Sequence, residues 1–449
     1  MSQESQLERL KARLAGVGKA AAPEASAAAS AANPAAPVAI GPEHTDFARF
    51  PEYREFTNTR WYYENEKLEW NMFRAHTGHA GSTVTIDGRE MINFSSYNYL
   101  GLASDERVKD AAKRAIDQYG TSNSSSRQIN GEVPLHAEFE REVADTLGVE
   151  DSVYSLGGYG ANAFTIGYLA RKQDVVYYDE LVHNSALIGA KLSGARRFAF
   201  PHNDIQALER LLKDHRHQYE RAIILTEGVF SMDGDIPDVP GLIELKQRYQ
   251  ALLMIDEAHS MGVIGPRGLG VIDYFGLDGK SIDIHYASTS KCFASVGGYV
   301  AGSRELVTML KHYSPGLQLY SAAPTAPATA ACLEALRIMR AEPWRARKLQ
   351  ANADLFRAKA RAAGLDTGAS AASAVVPVIL GDSETALWVA TKMYERNVAT
   401  FPMIFPIVPR NAARLRFFIN IDHTEAQIEE TIAILKATRE KAPRPKGLF

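Results

Sequence analysis

An α/β protein is expected from this chain: a mainly parallel sheet covered by helices, followed by a smaller α+β C-terminal domain. Three patterns lead there. Between residues 105 and 310, short apolar runs alternate with amphipathic helical stretches. Those runs are largely apolar along their length, as strands covered on both faces must be. Beyond residue 325, helical patterns dominate and strand-like runs become sparse.

Residues 3–15 place Leu7, Leu10 and Leu14 among Glu8, Arg9, Lys11 and Arg13, the pattern of a short amphipathic helix. It reads first as a frayed tail, since a short helix needs packing to persist, and second as a docking helix. Residues 17–42 are rich in Ala, Pro and Ser and too poor in large apolar groups to build a core, so 1–45 read as a short helix and a flexible linker. From Asp46 to Gly81, Phe47, Phe50, Tyr53, Phe56, Trp61, Tyr62, Tyr63, Trp70 and Phe73 mark a helical arm. Residues 83–92 alternate about Asp87-Gly88, the signature of a hairpin. Residues 46–104 are expected to form an N-terminal arm.

In the body, residues 105–324, strands are expected at 152–155, 175–178, 197–200, 222–226, 252–255 and 284–287. Helices between them are expected at 106–119, 134–147, 203–214 and 240–248. Residues 325–449 show helical patterns at 326–341, 345–363, 384–396 and 425–440, with strands near 374–379 and 414–421.

The composition, 46% hydrophobic and 23% charged, is that of an ordinary globular protein. A net charge of −3 gives no reason to expect nucleic acid or an anionic membrane as partner. Two cysteines, Cys292 and Cys332, are too few for a disulfide framework and suit a reducing cytoplasm. No basic start leads into an apolar core, so no secretory signal is expected. No run is long and apolar enough for a transmembrane helix, and no metal site is expected.

The chemistry gathers around Asp256-Glu257-Ala258-His259-Ser260 and, 291 − 256 = 35 residues later, Lys291 in Ser288-Thr289-Ser290-Lys291-Cys292-Phe293. An acid closing an apolar run, then a lysine in a hydroxyl-rich turn, suit pyridoxal phosphate (PLP). A lysine amine condenses with the cofactor's aldehyde, and a carboxylate keeps its ring nitrogen protonated so that the ring accepts electrons. Ser288 and Ser290 are candidates for its phosphate. Either string alone also reads as a buried strand end or a surface lysine.

Three more strings follow strands. Gly157-Gly158-Tyr159-Gly160-Ala161-Asn162 opens a helix, where backbone N–H groups approach a phosphate; it also reads as a tight turn. Asp179-Glu180-Leu181-Val182-His183-Asn184-Ser185 offers the His183 imidazole to stack on a cofactor ring, although a lone histidine is more often a surface residue. In Thr226–Asp235, Ser231 is a candidate for the cofactor's phenolic oxygen or a substrate carboxylate, and Asp233-Gly234 also reads as plain turn chemistry. His259 is a candidate donor to the phenolic oxygen.

In this order the strings resemble the α-oxoamine synthases, PLP enzymes of fold type I, with the likeness running from Asn93 to Lys436 and closest to serine palmitoyltransferase. Ser96-Tyr97-Asn98-Tyr99-Leu100-Gly101 resembles the eukaryotic serine palmitoyltransferase motif, where other members usually carry Asn at the position of Tyr97. Gly158 and Tyr159 fall on the family's Gly-Phe pair, and His183 on its ring-stacking histidine. Ser231 falls in its Phe-Ser-Met-Asp-Gly loop, Asp256 and His259 in its Asp-Glu-Ala-His-Ser. Ser288 and Lys291 fall in its Thr-Phe-Ser-Lys, Gly297-Gly298-Tyr299 on the glycine turn after it, and Arg414-Leu415-Arg416 on its C-terminal Arg-Leu-Arg. Two departures stand out. Ile404 occupies the place of an arginine that holds the substrate carboxylate in several members, and Ser321-Ala322-Ala323-Pro324 has fewer hydroxyls than usual.

The resemblance implies a seven-stranded, mainly parallel sheet and catalytic residues Lys291, His183, Asp256 and His259. Cofactor-binding residues would be Gly158, Tyr159, Ser231, Ser288 and Ser290 beside those four. Asn98 and Arg416 become the substrate-binding candidates, although Arg416 also reads as a structural salt bridge. The implied reaction joins a small L-amino acid to an acyl thioester on coenzyme A or an acyl carrier protein, giving an α-amino ketone, CO2 and a free thiol. Serine is favoured by Tyr97, with alanine and glycine remaining. The apolar run 401–409 suits an acyl chain or an ordinary core. A homodimer is implied. The competing readings are a PLP-dependent aminotransferase or aldolase, and a non-catalytic subunit of a heteromeric acyltransferase, a type that lacks the lysine.

Overall fold

The computed structural model describes residues 40–69 and 72–445. The expected helix over 3–15, nearly all of the linker, and Trp70 lie outside the described residues. The chain separates into two compact units, Met1–Lys67 and Leu68–Phe449. In the first, two short 3-10 turns precede helix α1 (Pro51–Asn65). Asp46 caps the second turn by accepting from the Ala48 N–H, and Pro51 opens α1 where a missing N–H leaves no bond unmade. The larger unit takes in residues 68–104 with all that follows.

The expected hairpin forms from β1 (Thr83–Ile86) and β2 (Arg89–Asn93). Its turn residues Asp87 and Gly88 both have positive φ, 51° and 72°, as the tight hairpin turn requires. Helices α2 (Glu106–Tyr119) and α3 (Pro134–Leu147) follow, with the boundaries the sequence predicts. Asp105 caps α2, and Gly148 ends α3 in the left-handed region at φ 70°.

The central sheet has seven strands: β3 (Asp151–Ser155), β4 (Val175–Asp179), β5 (Arg196–Phe200), β6 (Ala222–Glu227), β7 (Leu252–Asp256), β8 (Ile284–Ser288) and β9 (Gly298–Gly302). Their order is β3-β9-β8-β7-β6-β4-β5. Strands β4 to β8 run parallel, and β9 is antiparallel to both neighbours. Six of these match expected strands. The seventh, β9, occupies what read as a glycine turn. Gly298 must lie there because a Cβ would meet the Gly158 Cα at 2.8 Å, so a close crossing and not a turn explains that glycine.

Alternate residues of β6 enter different cores: Ile223 and Leu225 one, Ala222 and Ile224 the other. Burial on both faces is why these runs carry no polar alternation. Helices α4 (Gly158–Leu169) and α5 (Asn184–Leu192) follow β3 and β4. Their N-termini therefore lie at the strands' carboxyl ends, where such sheets gather their chemistry.

The smaller C-terminal sheet is antiparallel, with β10 (Val375–Gly381) and β11 (Phe401–Met403) flanking β12 (Ala413–Phe418). The strand expected over 414–421 stops at Phe418 because Asn420 turns the chain, its Oδ1 accepting from the Asp422 N–H at 2.7 Å. Among the described residues no helix is long and apolar enough to cross a membrane.

The turn after β12 holds the 96–101 loop in place. The Ile421 N–H donates to Tyr99 O at 2.8 Å, and Asn420 Nδ2 donates to Asn98 O. His423 locks the turn: its Nδ1 accepts from the Asn420 N–H at 2.9 Å, its Nε2 lies 3.1 Å from Asn93 O, and its ring stacks on Phe94 at 4.2 Å. Burial pushes this imidazole down to about 4. The folded state therefore binds fewer protons than the unfolded chain, whose histidine titrates near 6.5. The contribution is present above about pH 6.5 and is lost as pH falls toward 4, for about 3 kcal/mol in all. Chemical unfolding of His423→Gln beside the parent should show the variant losing about 2 kcal/mol less between about pH 7 and pH 5. Parallel losses would contradict this account.

Candidate active site

The site forms where β6, β7 and β8 end beside the starts of α4 and α5. Asp256 is the last residue of β7, and its carboxylate is buried. Asn162 Nδ2 donates to its Oδ2 at 3.0 Å, and the Ala258 N–H donates to its Oδ1 at 2.9 Å. Burial raises its pKa to about 6, against the Ala258 N–H and the Lys291 charge. Glu227 ends the neighbouring strand and is pushed up strongly by burial and then by Asp256. One Glu227 oxygen accepts from the Ser231 N–H at 3.2 Å, and the other has no partner. Two buried acids without a full set of donors mark a place shaped for a cationic group.

Lys291 faces this pair. Its Nζ lies 5.4 Å over the Tyr97 ring centroid. Burial lowers its pKa, while Asp256 and Glu227 oppose the shift. An amine held down in this way is available as nucleophile and base nearer neutrality.

His183 caps α5 and remains open to solvent. Its Nδ1 lies 2.7 Å from Ser185 Oγ and accepts from the Ser185 N–H. Asn162 Nδ2 donates to that same Ser185 Oγ at 3.0 Å, so the hydroxyl proton points to Nδ1 and the neutral ring carries its proton on Nε2. Although part of the residue reaches solvent, the protein packed around the ring, then Lys291 and Arg416, lower its pKa. One amide, Asn162, thus orients both the Asp256 carboxylate and, through Ser185, the His183 ring.

His259 is buried, with Nδ1 2.8 Å from the Tyr99 hydroxyl and its ring stacked 5.9 Å from Phe418. Burial and the charges of Lys291 and Arg416 keep it neutral, well below the usual imidazole range.

Gly158 opens α4 against β8. A Cβ there would meet Ser288 Oγ at 2.7 Å and Gly297 O at 2.9 Å. Ser288 Oγ lies 2.8 Å from Ser290 Oγ, beside the unpaired N–H groups of the first turn of α4. Tyr159 turns its ring edge to His183 at 6.1 Å and donates to Asn184 Oδ1 at 2.7 Å.

Arg416, on β12, is buried and donates from Nη1 to Ser231 O at 3.0 Å; its Nε has no partner. Among the described residues it forms no salt bridge, so the structural reading of this arginine has no acid to support it. Asn98 lines the cavity that adjoins Lys291; its Nδ2 also donates to Ala80 O at 3.1 Å and its Oδ1 accepts from the Ala103 N–H at 3.1 Å, so its amide shapes its own loop as well. Sequence reasoning assigned no role to Asn162, Ser185 or Glu227. All three lay inside strings already singled out, but relating them to Asp256 and His183 required the fold.

A cavity of about 530 Å³ adjoins Lys291 and Tyr97 and is walled by Phe73, Val84, Ile86, Tyr394, Ala399 and Phe401. Of the 401–409 run, only Phe401 lines it; Phe405 and Ile407 are exposed.

PLP fits these groups. The glycine cradle with paired serine hydroxyls suits its phosphate, the buried acids suit a protonated ring nitrogen, and Lys291 suits its aldehyde. Fold and site together define a PLP-dependent enzyme of fold type I. The model for aminotransferase class I and II matches residues 89–435. An 8-amino-7-oxononanoate synthase from Coprothermobacter proteolyticus is 39% identical, covering 81% of this chain and 93% of that protein. Another from Thermoanaerobacter pseudethanolicus is 40% identical over 80% and 89%. A serine palmitoyltransferase from S. paucimobilis, solved with bound PLP and myriocin, superposes with a TM-score of 0.83 at 26% identity, covering 87% of this chain and 98% of that one. The chain therefore belongs to the α-oxoamine synthases within aminotransferase class I and II, and is a PLP-dependent decarboxylating acyltransferase of that type.

Borohydride reduction of the PLP-loaded protein followed by peptide mapping should place the cofactor on Lys291, and Lys291→Ala should abolish the attachment. Gly158→Ala drives a Cβ into Ser288 and Gly297 and should weaken PLP binding about tenfold or more, read by fluorescence titration, with the fold retained.

Proposed function

We propose that the enzyme condenses L-serine with an apolar acyl thioester, releasing CO2, a free thiol and an α-amino ketone. The observation that carries this reading is the placement of Lys291, a half-buried lysine with two acids on one side and a largely apolar cavity on the other. Bound PLP supplies an electron sink for negative charge at the amino acid's α-carbon.

The chain's own residues do the rest. Lys291 holds the cofactor until the amino acid arrives, then takes the α-proton on Nζ. Asp256 keeps a proton on the ring nitrogen. Gly158, Ser288 and Ser290 hold the phosphate, and His183 covers the ring, with Tyr159 against its edge. His259, neutral and anchored by Tyr99, is placed to donate from its remaining nitrogen to the phenolic oxygen, with Ser231 nearby. Arg416 offers its unpartnered Nε to the substrate carboxylate, in the role left open by Ile404. The carboxylate departs as CO2 once the new carbon–carbon bond has formed.

Serine is supported by Tyr97, whose ring stands between Lys291 and Phe418, and by the likeness to serine palmitoyltransferases. The name 8-amino-7-oxononanoate, carried by the curated relatives, also describes an α-amino ketone. The acyl chain is assigned to the cavity between Lys291 and the hairpin. A homodimer is part of this reading. So is docking of a carrier protein through the amphipathic pattern at 3–15.

Serine, alanine and glycine should be screened against acyl-CoA and acyl-carrier-protein donors, reading CO2 release and product mass. Serine should give the highest kcat/KM; preference for alanine would overturn the amino-acid assignment. Arg416→Ala should raise KM for the amino acid by about two orders of magnitude, a loss typical of a charge-assisted contact, with little change for the thioester. Ala399→Phe, which fills the cavity wall, should move the preferred acyl chain to a shorter length while leaving KM for the amino acid unchanged.

A further inference from the structure

His202 lies outside the groups used so far, yet it joins two of the segments that carry them. Asp179 ends β4 and Asp235 closes the loop after β6; both carboxylates are buried. His202 stands between them, with Nδ1 3.0 Å from Asp179 Oδ1 and Nε2 2.8 Å from Asp235 Oδ2. Its ring meets that of Phe230 edge to face at 4.4 Å. Each ring nitrogen faces a carboxylate oxygen, and a neutral imidazole has only one N–H to give. Two buried carboxylates brought this close also need a cation between them. Burial opposes the charge on the ring, but the hydrogen bonds to Asp179 and Asp235 prevail and lift it to about 10.

Each aspartate reaches into the site. Asp179 Oδ1 accepts from the Leu181 N–H at 2.9 Å, two residues before His183. The Asp235 carbonyl accepts from the Phe230 N–H at 3.1 Å, which closes the loop around Ser231. The same loop is held from the C-terminal sheet: Arg416 donates to Ser231 O at 3.0 Å, Arg414 pairs with Asp233, and Ser373 Oγ donates to Gly234 O at 2.7 Å.

We propose that His202 is a positioning residue. As a protonated bridge between Asp179 and Asp235, it sets the spacing between His183 and the Ser231 loop on which Arg416 rests, and so governs how tightly the amino acid's carboxylate is held. The inference rests on Arg416 as the carboxylate partner.

The test uses the full-length PLP-loaded enzyme. Binding of serine, alanine and glycine is followed by the visible spectrum of the cofactor with no acyl thioester present, so a failure of the acyl-transfer reading leaves the measurement intact. His202→Gln should weaken amino-acid binding about tenfold and alter the visible circular dichroism of the bound cofactor, with PLP content unchanged. Steady-state KM for the acyl thioester should move less than about twofold. His202→Lys, which restores a cation, should recover part of the binding. Unchanged amino-acid affinity in His202→Gln would overturn the proposal. Equal weakening of amino acid, thioester and PLP, with no recovery in His202→Lys, would also overturn it, since that is a general loss of structure. If His202→Gln does not accumulate as folded protein, Asp235→Asn keeps the imidazole and removes one carboxylate. The same pattern is expected there, and its absence counts against the proposal equally. Arg416→Ala in the parent separates the two readings: loss of amino-acid binding in that variant supports the carboxylate role, and retention overturns both that role and the claim that His202 acts through it, even where His202→Gln alone weakens binding.

Discussion

A carboxylate held out of water at the end of β7 sets the terms for the whole site. Asp256 is buried, its pKa is raised, and its donors are one amide and one backbone N–H. Glu227 beside it is worse placed, with one oxygen unpartnered. Such a pair is unfavourable in isolation and becomes reasonable opposite a cationic ring and an amine. The parallel sheet makes this possible. It delivers β6 and β7 side by side, with Glu227 directly opposite Asp256, to an edge where helix starts face the same space.

The C-terminal sheet enters this space through one strand and one loop. Arg414 and Arg416, alternate residues of β12, reach the loop that carries Ser231. On its other side the loop is tied to the central sheet through Asp235, His202 and Asp179. The turn after β12 fixes the 96–101 loop, which brings Tyr97 to Lys291 and Tyr99 to His259. Arg416 and the aromatic wall beside the lysine therefore belong to one continuous stretch of packing.

Much of this was legible in the linear chain. Periodicity placed helices 106–119, 134–147 and 326–341 with their observed boundaries, because propensity, capping residues and apolar spacing agree there. The parallel strands were legible because burial on both faces leaves a plain apolar run. β9 was not, because its glycines answer to a crossing strand rather than to a local turn. The strand after Arg414 was read too long because side-chain hydrogen bonding by Asn420 ends it, and hydrophobic pattern is blind to that. Asn98 read as a substrate ligand; the fold places it on the cavity wall, with its amide also bonded to Ala80 and Ala103.

The acyl site shows the same division. The apolar run 401–409 suggested it, yet Phe405 and Ile407 face outward, and the cavity wall is shared by the hairpin, the loop around Tyr97, the turn that carries Lys291, and Tyr394, Ala399 and Phe401. The order of motifs along the chain was enough to name the cofactor and to nominate Lys291 and Asp256, because the acid closes a strand and the lysine sits in the turn just beyond another. Which amide orients Asp256, which arginine lies buried without an acid partner, and how His202 bridges two carboxylates are relations between segments far apart in sequence. Only folding brings them within hydrogen-bond range, so only the folded chain could decide them.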